Sequence, residues 1–293
     1  MTTSFPRLDR AAHLRTQPES LTEARDEAVY LPVWRNKSLV ERADPPLPVL
    51  LDAREAEPLR SLAEDEVFLG FLDGRAAFAL ALPGDDEVAE HPALRGDFND
   101  LRMVGLQLDE SSIDVLAAAR GLLYWHRHAR HCGACGGATE AGDAGFVRVC
   151  KSCDERIFPR TDPAIMALIE HEGRILLARQ PRFPPKMYSI LAGFVEPGES
   201  LEQALHREVF EEAGLRVHSL RYIRSQSWPF PSSLMLGFHV QSESPDFTLD
   251  QEELEAALWV SRDELRSPEG FFYPPSFSLS GQLIRLFLDE KLG

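Results

Sequence analysis

The sequence predicts an α/β protein in three parts: an N-terminal α/β domain, a small four-cysteine metal module, and a C-terminal mixed sheet with helices against it. Three observations carry this prediction. Short apolar runs separated by turn signals mark strands on both sides of the centre, several stretches have helical spacing, and all four cysteines fall between positions 132 and 153. The expected parts are residues 1–128, 129–158 and 159–293.

Residues 1 to about 45 mix charge and proline without strong periodicity. Residues 49–51 and 67–72 read as short strands, and Asp73-Gly74 is a hairpin turn into a further strand over 76–82. Pro83-Gly84-Asp85-Asp86 breaks that run, and an apolar stretch follows at 101–106. From Ser112 to about His128, the apolar residues Ile113, Leu116, Ala117 and Leu123 recur at helical spacing. Nothing in this part gathers a catalytic constellation.

Cys132-x-x-Cys135 and Cys150-x-x-Cys153, with fourteen residues between the pairs, have the spacing of a four-cysteine zinc ribbon. Gly133, Gly136 and Gly137 permit tight turns at the first pair. Two disulfides confined to so short a stretch would do little to staple a chain of 293 residues. Four thiolates leave no open coordination position, so the zinc expected here is structural. His126, His128 and His131 are expected as surface or interface groups, and the basic run they belong to is a weak signal of RNA contact.

In the last part, strands are expected at 164–169 and 174–178 around the Glu172-Gly173 turn, then at 217–224, 234–240 and 258–260. Residues 188–192 lead into a helix that Ser200 and Gln203 specify as a capping box and that Gly214 stops. A second helix is expected at 278–288. Within the first helix Glu208, Glu211 and Glu212 stand at i, i+3 and i+4 and share a face. Like charges at that spacing repel. A hard divalent cation removes the penalty, since Mg2+ or Mn2+ takes carboxylate oxygens and draws substrate phosphates into the same coordination sphere. A solvated acidic face would leave unexplained the Gly193 turn, Glu199 and the adjacent Arg207.

Gly193, Glu199, Arg207, Glu208, Val209, Glu211, Glu212, Gly214 and Leu215 together resemble the Nudix box, the loop-helix-loop signature of the Nudix hydrolases. The resemblance implies an α/β/α sandwich that hydrolyses a nucleoside diphosphate linked to another group, using divalent metal. It implies that Glu208, Glu211 and Glu212 carry the metal, that Arg207 orients a carboxylate, and that Glu199 braces the loop. Glu211, Glu212 and Glu253 all stay open as the general base.

Downstream, Ser225-Gln226-Ser227-Trp228-Pro229-Phe230-Pro231 reads as a proline-stiffened loop with two flat rings. A cysteine ribbon before the Nudix box and this loop after it resemble the NADH pyrophosphatase, NudC-like subfamily. That resemblance implies cleavage of NAD(H) to nicotinamide mononucleotide and AMP, and removal of NAD caps from RNA. It implies that Phe194 stacks on the nicotinamide ring, that Gln226 contacts the nicotinamide nucleotide with Trp228 and Phe230 beside it, and that Glu253 is a distal acid near the metals. A homodimer is also implied, in which the aromatic residue after the ribbon, here Phe158, reaches the partner's site. The chain departs from the subfamily in Ser227 for proline, in Phe158 for tyrosine, and in Ser278-Leu279-Ser280-Gly281 for the more usual Ser-Ile-Ala-Arg, a segment in which the resemblance implies that Ser280 borders the pocket. ADP-ribose, FAD or another nucleoside diphosphate derivative is the alternative substrate, since the box selects phosphate chemistry and not the attached group.

Composition bounds the partners. A formal charge of -16 argues against broad, charge-driven binding to nucleic acid or anionic membranes. An anionic substrate must therefore be drawn in locally, against the average field. No membrane or export signal is evident, and reduced thiolates suit the cytoplasm.

Overall fold

The structure, a computed structural model, describes residues 8–292. It divides into two compact units. One runs to Arg160 and takes in Pro229–Pro231, and the other comprises Thr161–Trp228 and the chain from Ser232 onward.

The strands of the first unit's large sheet are β1 (Leu8–Asp9), β2 (Val29–Trp34), β3 (Lys37–Val40), β4 (Leu51–Asp52), β5 (Asp65–Leu72), β6 (Arg75–Leu82) and β7 (Asp97–Asn99). Its helices are α1 (Pro18–Ala24), α2 (Ala53–Arg60), α3 (Asp86–Ala89), α4 (Leu101–Val104) and α5 (Glu110–His128). The sheet order is β1-β5-β6-β2-β3-β7, with β4 beside β2. Alternation along the central strands splits the core in two. Val67, Leu69, Ala77, Ala79 and Ala81 turn to one face with Leu116, Ala119 and Leu123 of α5, and the three alanines let that helix lie close. Phe68, Phe78, Leu80 and Leu82 turn to the other face, with Leu21 of α1 and Leu59 of α2.

The sequence reading finds no element before about residue 45, yet β2 lies at the centre of this sheet. Both of its faces are covered, so Val29, Tyr30, Leu31 and Val33 are all buried and no alternation of polar and apolar residues appears. Pro32 also argues against a central strand. It is accommodated because β4 pairs only at Val29 and Tyr30, and β3 only at Val33 and Trp34. That leaves Leu31 and Pro32 without a partner on this side, although β6 pairs along the whole of β2 on the other.

The ribbon adds a three-stranded antiparallel sheet, β8 (Thr139–Gly142), β9 (Val147–Cys150) and β10 (Arg156–Ile157). His126, expected as a surface or interface group, is fully buried inside the first unit. Its Nδ1 accepts from Arg148 at 2.9 Å, and its Nε2 donates to the Gly145 carbonyl at 2.8 Å. Arg148 also donates to Thr139 Oγ1 at 2.7 Å and to Asp65 at 3.2 Å. Both imidazole nitrogens are thereby committed to the neutral ring, and burial lowers the pKa in the same direction.

In the second unit β11 (Asp162–His171), β12 (Arg174–Arg179), β13 (Leu191–Phe194), β14 (Val217–Trp228), β15 (Ser233–Ser242) and β16 (Ala256–Ser261) form one sheet. The order is β14-β15-β11-β12-β16, with β13 paired to β11. Helices α6 (Leu201–Ala213) and α8 (Leu279–Leu288) cover its two faces, and α7 (Arg262–Arg266) lies between β16 and α8 in the chain. Ile165, Ala167 and Ile169 pack with Leu205 and Val209 of α6. The intervening Met166 and Leu168 pack with Leu283 and Phe287 of α8. This is an α/β/α sandwich, and it explains why β11 reads as an unbroken apolar run. Residues 225–228, expected in a loop, are instead the end of β14, where Ser225 to Trp228 pair with Leu236 to Ser233.

Candidate active site

Local rules build the acidic helix. Ser200 accepts from the Gln203 N–H at 3.2 Å and the Gln203 side chain accepts from the Ser200 N–H at 2.8 Å, which closes the capping box. At the other end Gly214 is left-handed, with φ 66°, and its N–H reaches the Phe210 carbonyl at 2.8 Å. Between these caps Ala204, Leu205, Val209 and Ala213 are buried, which fixes the rotation of the helix and hence the direction of its glutamates.

Arg207 is the hub. Its Nε donates to Glu199 Oε1 at 2.6 Å and its Nη2 to Glu199 Oε2 at 2.8 Å, a two-pronged clasp. The same guanidinium lies 2.9 Å from Glu208, 3.1 Å from Glu211 and 2.9 Å from the Phe194 carbonyl. Glu199 further accepts from the Glu196 N–H at 2.9 Å. The clasp and this backbone bond hold the Glu199 carboxyl down at about 2. One arginine thus ties the loop before the helix to two of the three clustered acids.

Glu212 is in a different state. It is 3 % exposed, and its Oε2 is buried without a hydrogen-bond partner among the described residues. Burial first, then the nearby charges of Glu208 and Glu253, push its carboxyl up to about 8. Burial also raises Glu208, against the pull of Arg207. Glu253 is exposed on the segment after Asp250, which the sequence reading did not single out. The Asp250 N–H donates to the Glu212 carbonyl at 3.0 Å, and its carboxylate adds to the charge around Glu212. Its place beside Glu253 in an acidic run was the available signal. A buried carboxylate oxygen without a partner, amid further acids, has the chemistry of a divalent cation site.

Gly193 shows how close the packing is. A Cβ there would fall 1.8 Å from the Glu208 carboxyl carbon, so any side chain displaces that carboxylate.

The other expected positions are spread more widely. Phe194 is 60 % exposed at the end of β13. Gln226 donates to the Phe277 carbonyl at 2.7 Å while its Oε1 is buried without a partner among the described residues. Trp228 lies 5.7 Å from the Phe277 ring, an aromatic neighbour with no local signal in the sequence because the two are 49 positions apart in the chain. Ser280 is buried, its hydroxyl 2.8 Å from that of Ser189. Phe230 belongs to the first unit, where the guanidinium carbons of Arg102 and Arg120 each lie 4.8 Å from its ring centre. Phe158, also in the first unit, is 62 % exposed.

The sulfur atoms of Cys132, Cys135, Cys150 and Cys153 lie within 4.8 Å of one another, and none is in a disulfide. Cys132 and Cys153 are 3.8 Å apart and Cys135 and Cys150 3.4 Å, close to the edge of a tetrahedron drawn around an ion at about 2.3 Å from each sulfur. Backbone N–H groups of Gly137 and Ser152 point at Cys135 and Cys150 at 3.4 Å each. The set fits structural zinc.

Residues 27–125 match the NADH pyrophosphatase-like rudimentary NUDIX domain, residues 127–158 the NADH pyrophosphatase zinc ribbon domain, and residues 159–278 the NUDIX domain. A Mycobacterium tuberculosis protein described as NAD-capped RNA hydrolase NudC is 37 % identical over 263 residues, 88 % of this chain and 82 % of that one. A Pseudomonas syringae protein of the same description is 40 % identical over 230 residues, 78 % of this chain and 79 % of that one. With its ribbon, its rudimentary first domain and its complete acidic helix, the chain belongs to the NADH pyrophosphatase, NudC-like branch of the Nudix hydrolases.

Proposed function

We propose that the protein hydrolyses the diphosphate bond of NAD(H), giving AMP and oxidised or reduced nicotinamide mononucleotide, and removes NAD caps from RNA by the same reaction. The observation that carries the reading is Glu212, a buried carboxyl beside Glu208 and Glu253 whose Oε2 has no hydrogen-bond partner among the described residues. The family and the substrate named for its relatives support the choice of dinucleotide.

Mg2+ or Mn2+ held by Glu208, Glu211, Glu212 and Glu253 would supply the positive charge that offsets the diphosphate and the oxygen leaving it. The chain's own groups do the rest. Arg207 holds Glu208 in place and is itself held by Glu199, so the carboxylates do not reorganise as charge moves. Glu212, whose carboxyl is raised to about 8, would hold the ion as the carboxylate, its proton passing to solvent. A carboxylate among Glu211, Glu212 and Glu253 accepts the proton of the water that attacks phosphorus, and the P–O bond to the departing nucleotide breaks. Phe194, exposed at the end of β13, offers a face for the nicotinamide ring. Gln226, whose Oε1 has no partner among the described residues, and Trp228 border the nucleotide, with Ser280 as a further contact. The chain works as a homodimer, with Phe158 of one protomer reaching its partner's site. Among the described residues no helix is long and apolar enough to cross a membrane, and four cysteines outside any disulfide suit the cytoplasm.

The test is a hydrolysis panel of NADH, NAD+, ADP-ribose and NAD-capped RNA, with Mg2+, with Mn2+ and with chelator. NADH and the capped RNA should turn over only with divalent metal. Equal turnover of ADP-ribose and NADH would overturn the nicotinamide selectivity, and no turnover of any of the four would overturn the reading as a whole.

A further inference from the structure

A cavity of about 380 Å³ lies in the first unit, walled by residues from the segment 15–25, from β5 and β6, and from the turn Asp143–Gly145. None of the Nudix-box residues contributes to it. Its volume is at the small end of ligand sites, enough for a mononucleotide or a smaller anion.

The charges around it do not balance. Glu66 is already held by Arg25 at 2.6 Å and by Arg60 at 3.0 Å, and Asp143 by Arg156 at 2.6 Å. Arg15 is left over. Among the described residues no carboxylate or carbonyl accepts from its guanidinium, and its Nε is buried without a partner. The guanidinium carbon lies 3.3 Å from the centre of the Phe146 ring, which fixes the plane of the group but satisfies none of its N–H donors. Burial and the neighbouring positive charge of Arg10 both act against its charged form. Thr16 lines the same wall.

An arginine that stays charged, partly buried and unpaired carries a desolvation cost that an anion would relieve. The planar fork suits the oxygens of a phosphate in particular. We propose that this cavity is a binding site for a small phosphate-bearing anion, with Arg15 as its principal contact and Thr16 as a second donor. The site lies wholly in the first unit, formed by the segment before β2, by β5 and β6 and by the ribbon turn, and it does not depend on the acidic helix.

Calorimetric titration and thermal melts test this with inorganic phosphate and with AMP as probes, in buffer without added divalent cation. Wild type should bind saturably and melt higher with probe. Arg15→Met should lose at least about tenfold in affinity. It should also keep the melting temperature of probe-free wild type, since it removes a charge that had no partner. Thr16→Val, a change at an exposed position, should weaken binding in the same direction. Glu212→Gln should bind as wild type, which separates this cavity from the metal site. Equal affinity for the two probes would identify the phosphate group alone as the ligand, and tighter binding of AMP would add the nucleoside. Unchanged affinity in both the Arg15 and Thr16 variants, or no saturable binding of either probe, would overturn the proposal.

Discussion

Glu212 ties pH and metal together at the level of one side chain. Its folded-state carboxyl is raised to about 8 from an ordinary value of 4.5, so between those pH values the folded chain holds a proton that the unfolded chain has released. Without divalent metal, stability should therefore fall as pH rises through this window, by at most about 1.4 kcal/mol per pH unit from this group, and level off above it. Added Mg2+ or Mn2+ should flatten the decline, because the ion binds the deprotonated carboxylate in place of the proton. Glu212→Gln should show neither the decline from this group nor its rescue, and should lose hydrolysis while staying folded. Melting curves from pH 5 to about 9.5, with and without metal, check all of this, and a wild-type curve insensitive to metal would count against the site. Gly193 makes the complementary case for position. In Gly193→Ala the new methyl overlaps the Glu208 carboxylate, whose centre is 1.8 Å from the ideal Cβ. A displaced ligand of this kind should cost roughly 10²-fold in kcat with the fold retained, read from steady-state rates beside a circular dichroism spectrum.

At the level of elements, what could be read from the chain followed how local the determining physics was. Helix α6 was legible at both ends because Ser200, Gln203 and Gly214 set its limits through contacts a few residues long. The cysteine cluster was legible for the same reason, its ligands lying in two short pairs. Strand β2 was not, because its buried faces and the tolerated Pro32 depend on strands far away in sequence. Residues 225–228 look like a loop until β15 is there to pair with them. Gln226 and Trp228 were singled out, but their neighbour Phe277 comes from a distant segment and left no local trace. The ribbon invites its own test. Its strands are four, four and two residues long, too short to hold without cross-links. Cys132→Ser should lose bound zinc and lower the melting temperature. Because Arg148, Thr139 and His126 tie the ribbon to Asp65 of β5, hydrogen exchange should accelerate at β5 as well as in the ribbon. Exchange confined to the ribbon would show that this buried network does not couple the two.

On the scale of the whole molecule the dominant fact is charge. With 47 acidic and 31 basic side chains, the chain repels the dinucleotide it is proposed to cleave. The attraction must come from metal and from nearby arginines over a few ångströms, whereas the repulsion is summed over the entire surface. Salt separates the two. At an ionic strength near 0.01 M the screening length is about 30 Å and the full field reaches an approaching anion, while at 0.1 M it is about 10 Å and only the nearest charges count. Raising KCl over this range at fixed Mg2+ should therefore lower KM for NADH and leave kcat unchanged. An enzyme that captures its substrate through a basic surface shows the reverse, since there added salt weakens binding. Steady-state kinetics at four or five KCl concentrations decide the matter. A KM that climbs steadily with salt would mean that a concentrated positive field at the mouth of the site outweighs the net charge of -16.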